Sequence, residues 1–516
     1  MSTPTTFSNR FRPRALVAAL AVLLASGAAA ISEEPVSSTA ETPSTAPAPS
    51  ESSPAPEYEK TPEFNQADIA WMLVSSAFVL LMTAPGLFLF YGGLVRKKNV
   101  LSVFMQCLFL CGMNSVLWVL IGYSLAFSDQ GPTLTTFKDE KTGEETKVTL
   151  VGGLDKALLN GVGPYLRDKH ENKGTDEAPQ WTPVKGEDGS VEQEIVYPGD
   201  DGAIPELLFM IFQMMFFIIT PALICGAFAE RMKFSAMVAF TALWGLLIYC
   251  PLAHWVWGPN PLFGGGSPLQ SLDFAGGLVV HASSGISALV CAIFLGKRLG
   301  YGKEPIVPHN MTYAAVGAAL LWFGWFGFNA GSELAADSRA VNAFVVTHLC
   351  AASALLGWTI AEWLVIGKPT VLGASSGIVA GLVVITPASG FVTPQSAVLM
   401  GLIAGVVCFL ACAKLKPMLG YDDSLDAFGV HGVGGMLGAI LTGVFVSEAI
   451  VGAGEIPAYC LRNQFISVGI TAALSVVGSA IILSLIGATI GLRVKESEEI
   501  EGLDSTQHGE SGYLFD

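Results

Sequence analysis

Apolar runs of membrane-crossing length recur along this chain. They can be read at 68–92, 101–127, 204–229, 234–256, 274–296, 311–331, 341–366, 371–388, 395–416, 427–447 and 464–491. About 20 apolar residues are needed to cross the hydrocarbon core. A large soluble protein with buried helices would carry amphipathic stripes instead. Composition agrees: 52% of residues are hydrophobic and 14% are charged, against roughly 25% charged in soluble domains. The chain therefore reads as an all-α integral membrane protein with about 11 transmembrane helices.

Short-loop charge orients those helices, because Lys and Arg collect on the cytoplasmic side. Arg96, Lys97 and Lys98 follow the first span, and Arg231 and Lys233 the third. Lys297, Arg298 and Lys303 follow the fifth, and Lys368 the seventh. Lys414 and Lys416 end the ninth, and Arg493 and Lys495 follow the last. The alternate loops carry little besides Arg339 and Arg462. Odd-numbered spans thus end in the cytoplasm, with the mature N-terminus outside and the C-terminus inside. Five spans per half inverts the second half against the first. The arrangement is two inverted five-helix halves plus a final helix, N-out/C-in, with matched helices meeting near the midplane.

The remaining segments are polar. Arg10, Arg12 and Arg14 precede a short apolar run that ends in Ala28-Ala29-Ala30. Residues 1–30 read as a signal peptide. Residues 31–65 read as a disordered Ser/Pro/Thr-rich linker. Residues 66–127 hold the first two spans, and 128–203 form an acidic extracytoplasmic insertion with weak alternation near 146–151 and 191–197. Either a small β-rich cap or a loose loop fits it. Residues 204–491 hold the other spans, and 492–516 form a cytoplasmic tail. Much of the net charge of −16 lies in the insertion and the tail. No basic stripe points to nucleic acid. Cys107 and Cys111, and Cys408 and Cys412, fall at i, i+4 in apolar runs, where Cys packs as a small hydrophobe. No CxxC occurs.

Ionisable residues inside a membrane are costly and point to function. His281 lies about two turns into the fifth span and His431 early in the tenth, which are matched places in the two halves. Each follows an aspartate, Asp273 or Asp426. A lone membrane histidine would read as an interhelical hydrogen bond; a matched pair reads as a shared site. The aspartates also suit capping of free N–H groups at helix starts. His254, His309 and His348 read as loop or interface residues. Aromatics gather at Trp255 and Trp257, at Phe216, and from Trp322 to Phe328. They fit an interfacial belt or a cage that binds a small cation through ring faces. Spacing alone does not choose.

At these segments the chain resembles the ammonium transporter (Amt) family, of the Amt/Mep/Rhesus superfamily and bacterial in type. The matching stretches are PGLFLFYGGLVRKKNVLS at 85–102, CGAFAERMKFS at 225–235, and DFAGGLVVH at 273–281 running on to GKR at 296–298. GWFGFNAGS at 324–332, GVHGVGG at 429–435 and GLRV at 491–494 complete the set. The AERMKFS and FNAGS forms look like Amt rather than Rhesus-type proteins. The resemblance implies a homotrimer in the cell (inner) membrane with one ammonium/ammonia pore per subunit. It implies an outer substrate site of Phe216, Trp257 and Ser332, and a gate of Phe216 and Phe328. His281, His431 and Trp325 would line the pore, with Asp273 as structural support. Neither a cofactor nor a metal is implied, and no enzymatic role. A PII-type signal protein would dock at the cytoplasmic face, where Glu501-Gly502-Leu503-Asp504 and His508-Gly509-Glu510 keep the family's tail pattern. Glu333 departs from the family's usual small residue and implies a more negative vestibule. The long insertion is a second departure.

Two other classes compete. An ammonium sensor that signals to a partner would share the fold, but no fused signalling domain follows the spans. A membrane redox enzyme would use His281 and His431 as metal ligands, but such a site needs more ligands than two.

Overall fold

The computed structural model describes residues 61–138, 145–173, 180–186 and 188–513. The expected signal peptide and most of the linker lie outside the described residues. Ten described helices are long and apolar enough to span a membrane. They are α1 (Gln66–Leu94), α2 (Lys97–Phe127), α3 (Glu206–Phe228), α4 (Phe234–Trp257), α5 (Gly277–Leu295), α6 (Met311–Glu333), α7 (Ser338–Ile366), α9 (Pro394–Leu419), α10 (Phe428–Phe445) and α11 (Cys460–Thr489). A shorter apolar helix, α8 (Val371–Ile385), stands where the eighth span is expected.

The helix starts follow capping chemistry. Asn65 Oδ1 accepts from the backbone N–H of Ala67 at 2.9 Å, and Asp337 Oδ1 from those of Arg339 and Ala340. Thr370 and Thr393 cap α8 and α9, with Pro394 in the first turn of α9. Each cap supplies an acceptor that the first turn lacks.

Small residues set the packing of α7 against α9. A Cβ on Gly401 would fall 2.3 Å from Cys350 O, and one on Gly405 2.3 Å from Ala354 O. Membrane helices use such residues to approach closely. Cys107, Cys350 and Cys408 are buried in apolar packing.

The described parts of the insertion are β-rich, in line with one of its two expected forms. β1 (Thr133–Lys138) pairs antiparallel with β2 (Glu145–Thr149), and β3 (Tyr165–Asp168) pairs antiparallel with β6 (Gln193–Val196). In chain order between β3 and β6, β4 (His170–Asn172) pairs with β5 (Trp181–Pro183). Residues 171–182 belong to a second compact unit, separate from the one that holds the helices.

His254 ties β2 of the insertion to the bundle. Its ring is buried, with Nε2 2.5 Å from Thr149 Oγ1 and Nδ1 2.9 Å from Ala126 O. Trp255 Nε1 donates to Leu150 O at 2.9 Å.

At the opposite end the tail packs back on the bundle through α12 (Glu496–Glu501) and α13 (Leu503–His508). Ser102 N–H donates to Asp504 Oδ1 at 2.7 Å, and Leu503 N–H to Asn99 Oδ1 at 2.8 Å. Lys233 N–H reaches Leu492 O and Val494 N–H reaches Arg231 O. The AERMKFS and GLRV motifs are thus paired backbone to backbone.

Candidate functional site

α5 and α10 each open with a π-helical turn, Gly277–Ala282 and Phe428–Gly432, and each turn carries a histidine. Such turns occur mostly as local departures from the α-helix and often at functional sites. The helices cross where these turns meet. His281 Nδ1 and His431 Nδ1 lie 3.3 Å apart. Their rings stack at 5.4 Å between centroids and 22° between planes. Both are buried. Two neutral imidazoles can hold this contact if one nitrogen donates and the other accepts. His281 Nε2 is buried and makes no hydrogen bond within the protein.

Asp273 holds the start of α5. Its carboxylate accepts from the N–H groups of Gly276, Gly277, Leu278 and Val279, at 2.5 to 3.3 Å. The expected match, Asp426, does not share that role: its carboxylate pairs with Lys416 Nζ at 2.7 Å. The cap of α10 is instead Asp423, which accepts from Phe428 N–H at 2.7 Å. Asp273 and Asp423 both stand eight residues before their histidines, and that equal spacing is the signal available in the sequence.

The aromatic residues form a column that ends on the histidines. Trp257 meets Phe216 edge-on at 5.9 Å and 78°. Phe216 lies 4.3 Å from Phe328. Phe328 and Trp325 lie 6.0 and 5.4 Å from His281, nearly parallel to it. Trp257 Nε1 is fixed by Asp273 O, and Trp325 Nε1 by Thr386 Oγ1, each at 2.9 Å. Ser332 sits one turn after Phe328, its hydroxyl donating to Phe328 O at 2.8 Å.

Cavities mark this column at three levels. A chamber of about 670 Å³ at the insertion end is lined in part by Trp257 and Leu334. A void of about 10 Å³ touches Phe328, Trp325, His281 and His431, walled by Val280 and Leu321. That is about the room of a single water-sized molecule. A chamber of about 330 Å³ at the tail end reaches His431 and carries Arg298, Tyr301, Lys416 and Asp426.

Beside that chamber lies a buried ion network. Arg298 donates to Asp422 Oδ1 at 2.8 Å and to Glu230 Oε2 at 3.0 Å. Arg96 also pairs with Glu230. Burial alone would push the Glu230 carboxyl up, but Arg298 and Arg96 outweigh it and hold it below the usual range. Asp422 is depressed in the same way, burial being overcome by Arg298 and Arg231. Burial wins at Asp423, which is raised despite Lys416.

Residues 70–157 and 186–513 match the model of the Ammonium Transporter Family. The chain belongs to that family. It is 42% identical over 452 residues to an ammonium transporter of Bacillus subtilis, covering 86% of this chain and 98% of the relative. It is 39% identical to the ammonium transporter Amt1 of Archaeoglobus fulgidus, covering 87% of this chain and all of the relative. The crystal structure of Saccharomyces cerevisiae Mep2 shares the fold, with a TM-score of 0.67 at 33% identity, covering 84% of this chain and 88% of that one. A structure described as a sensor Amt protein also shares it, with a TM-score of 0.69 at 27% identity, covering 86% of this chain and 98% of that one. Family membership and these helices make the chain a multi-pass membrane protein. The family match leaves out 158–185, the middle of the insertion.

Proposed function

We propose that this protein carries ammonium or ammonia across the cell membrane through a pore in each subunit. The observation that carries the reading is the His281–His431 contact of 3.3 Å at the foot of the Trp257–Phe216–Phe328 column. In this reading a cation first meets the faces of Phe216 and Trp257. The Ser332 hydroxyl replaces part of its water shell, as polar pore linings do. Phe216 and Phe328 gate the passage below.

The void at the histidines is small and its other walls are apolar. Ammonium can enter such a space as ammonia by giving a proton to water in the outer chamber or to a histidine nitrogen; potassium has none to give. The twin imidazoles then exchange hydrogen bonds with ammonia or pass a proton. Asp273 supports this path through the backbone of α5.

In the same reading residues 1–30 are a signal peptide, the insertion faces outside, and the tail is cytoplasmic. The subunits form a homotrimer, and the tail face receives a PII-type signal protein. A sensor role is the second reading, favoured by the likeness to a sensor Amt protein.

The test is uptake of labelled methylammonium by liposomes holding the purified protein. Saturable uptake, competed by ammonium, is expected. Tight binding without uptake would overturn transport in favour of sensing.

A further inference from the structure

Residues 149–156 of the insertion deliver a lysine to the chamber beside Trp257. Gly152 N–H donates to Leu125 O at 2.7 Å, which fastens the loop to the end of α2. A Cβ at Gly152 would fall 2.2 Å from Ser124 O, so the approach requires glycine. Ser124 Oγ then takes the Lys156 N–H at 3.1 Å, and Ser128 Oγ bonds Asp155. Lys156 is thereby set by backbone and hydroxyl contacts.

Its ammonium group pairs with Glu206 Oε1 and lies 5.9 Å from the centre of the Tyr123 ring. Tyr123 OH donates to the same Glu206 oxygen at 2.8 Å. Lys156 and Glu206 keep only 29% and 19% of their side-chain surface exposed. All three residues line the 670 Å³ chamber that Trp257 also lines.

A carboxylate and an aromatic ring are the groups that bind a primary ammonium ion. The occupant here is a primary ammonium too, tethered to the chain. We infer that Glu206 and Tyr123 form a second cation site, for ammonium or a small alkylammonium, which the chain's own Lys156 ammonium group occupies until substrate displaces it.

This inference rests on the proposed transport reading for its substrate, but not for its test. A tethered group competes at an effective concentration in the millimolar range. Lys156 therefore sets a threshold: the site fills with free cation only when outside ammonium is abundant. Charge also acts through the chamber. With Glu206 removed, Lys156 is left as an unpaired cation that repels the incoming one.

The experiment is calorimetric titration of the detergent-purified full chain with methylammonium, beside its half-saturation in liposome uptake. Lys156→Met should tighten binding and lower half-saturation by about two- to fivefold, the range of one partly exposed ion pair. Glu206→Gln should weaken both by a similar factor. The double variant should return toward the unsubstituted protein, since the two side chains act as one pair. Lys156→Arg, which keeps a cation on Glu206, should not tighten binding as Lys156→Met does, and so separates charge from folding. Unchanged binding in a well-folded Lys156→Met protein, or equal weakening in Lys156→Met and Glu206→Gln, overturns the inference. If uptake fails in the parent while Lys156→Met still tightens binding, transport is refuted and the cation site stands. If uptake is normal and binding does not move, the reverse holds.

Discussion

Gly285 and Gly435 stand in matched places, each four residues beyond a buried histidine and each pressed against the backbone of the opposite half. A Cβ on Gly285 would lie 1.9 Å from Gly432 N; one on Gly435 would lie 2.6 Å from Ala282 N and 2.8 Å from His281 Cβ. This crossing brings the two imidazoles together. Gly285→Ala and Gly435→Ala should each cost more than the ~1–3 kcal/mol of ordinary overpacking, because backbone must move. Gly469, in α11, has open space where a Cβ would stand, with nothing within 4 Å. Gly469→Ala should be neutral or stabilising by up to about 1 kcal/mol. Thermal unfolding in detergent compares the three, and equal melting for Gly285→Ala and Gly469→Ala would refute the tight crossing.

Asp273 satisfies four N–H groups of its helix, while Asp423 takes that of Phe428. Asp273→Ala should therefore destabilise by at least the ~0.5–2 kcal/mol of a lost cap, and by more than Asp423→Ala. The Trp257 Nε1 bond runs to the Asp273 backbone carbonyl, which the alanine variant keeps, so any loss is that of the helix cap. Melting temperatures in detergent rank the two variants; the opposite ranking would contradict the capping account.

The ion network beside the tail-end chamber makes a pH prediction. Glu230 has its carboxyl held below the usual range in the folded chain, by Arg298 and Arg96 against the effect of burial. A depressed carboxylate contributes stability that is fully present above the unfolded pKa, about 4.3 for Glu, and is lost as pH falls through the folded value. The gap in melting temperature between the parent and Glu230→Gln should hold from pH 7 to about 5 and shrink below about 4. A gap that widens on acidification would reverse the sign. Arg298→Met leaves two buried carboxylates short of a partner and should cost about 3–5 kcal/mol at neutral pH.

The tail should be coupled to the bundle. Asp504 and Glu499 accept from the backbone of Ser102 and Leu299, and Arg493 pairs with Glu499. Truncation after Val494 removes these carboxylates and leaves Arg493 without its partner. Truncated protein should still reach the membrane but change its transport rate or its response to a PII-type protein. Unchanged transport and unchanged response would count against coupling.

Much of this architecture is legible in the sequence, because a membrane span writes itself as one unbroken apolar run. Val371–Ile385 is shorter than its reading of 371–388, the chain turning near Thr386 while staying apolar. The matched histidines are legible from order along the chain. The partner of Arg298 is not, since Asp422 lies 124 residues away and nothing local marks the pair. Asp426 reads as the matched cap in place of Asp423 because both are acids near a helix start. The eight-residue spacing to the histidine singles out Asp423, and the hydrogen-bond geometry agrees, with Asp426 in an ion pair. His254 reads as a loop or interface residue; it lies at an interface, but its partner is an insertion strand from a distant part of the chain that nothing local marks.

The central claim is that His281 and His431 govern how substrate crosses. The direct measurement is ammonium and potassium current, beside the yield of folded protein, for His281→Ala, His431→Ala and the double variant in liposomes. The account predicts folded variants that lose ammonium selectivity and pass potassium or nothing. A purely structural pair would instead show as lost protein, each single variant stranding a buried partner at about 1–3 kcal/mol. Normal ammonium selectivity in a well-folded double variant would contradict the account.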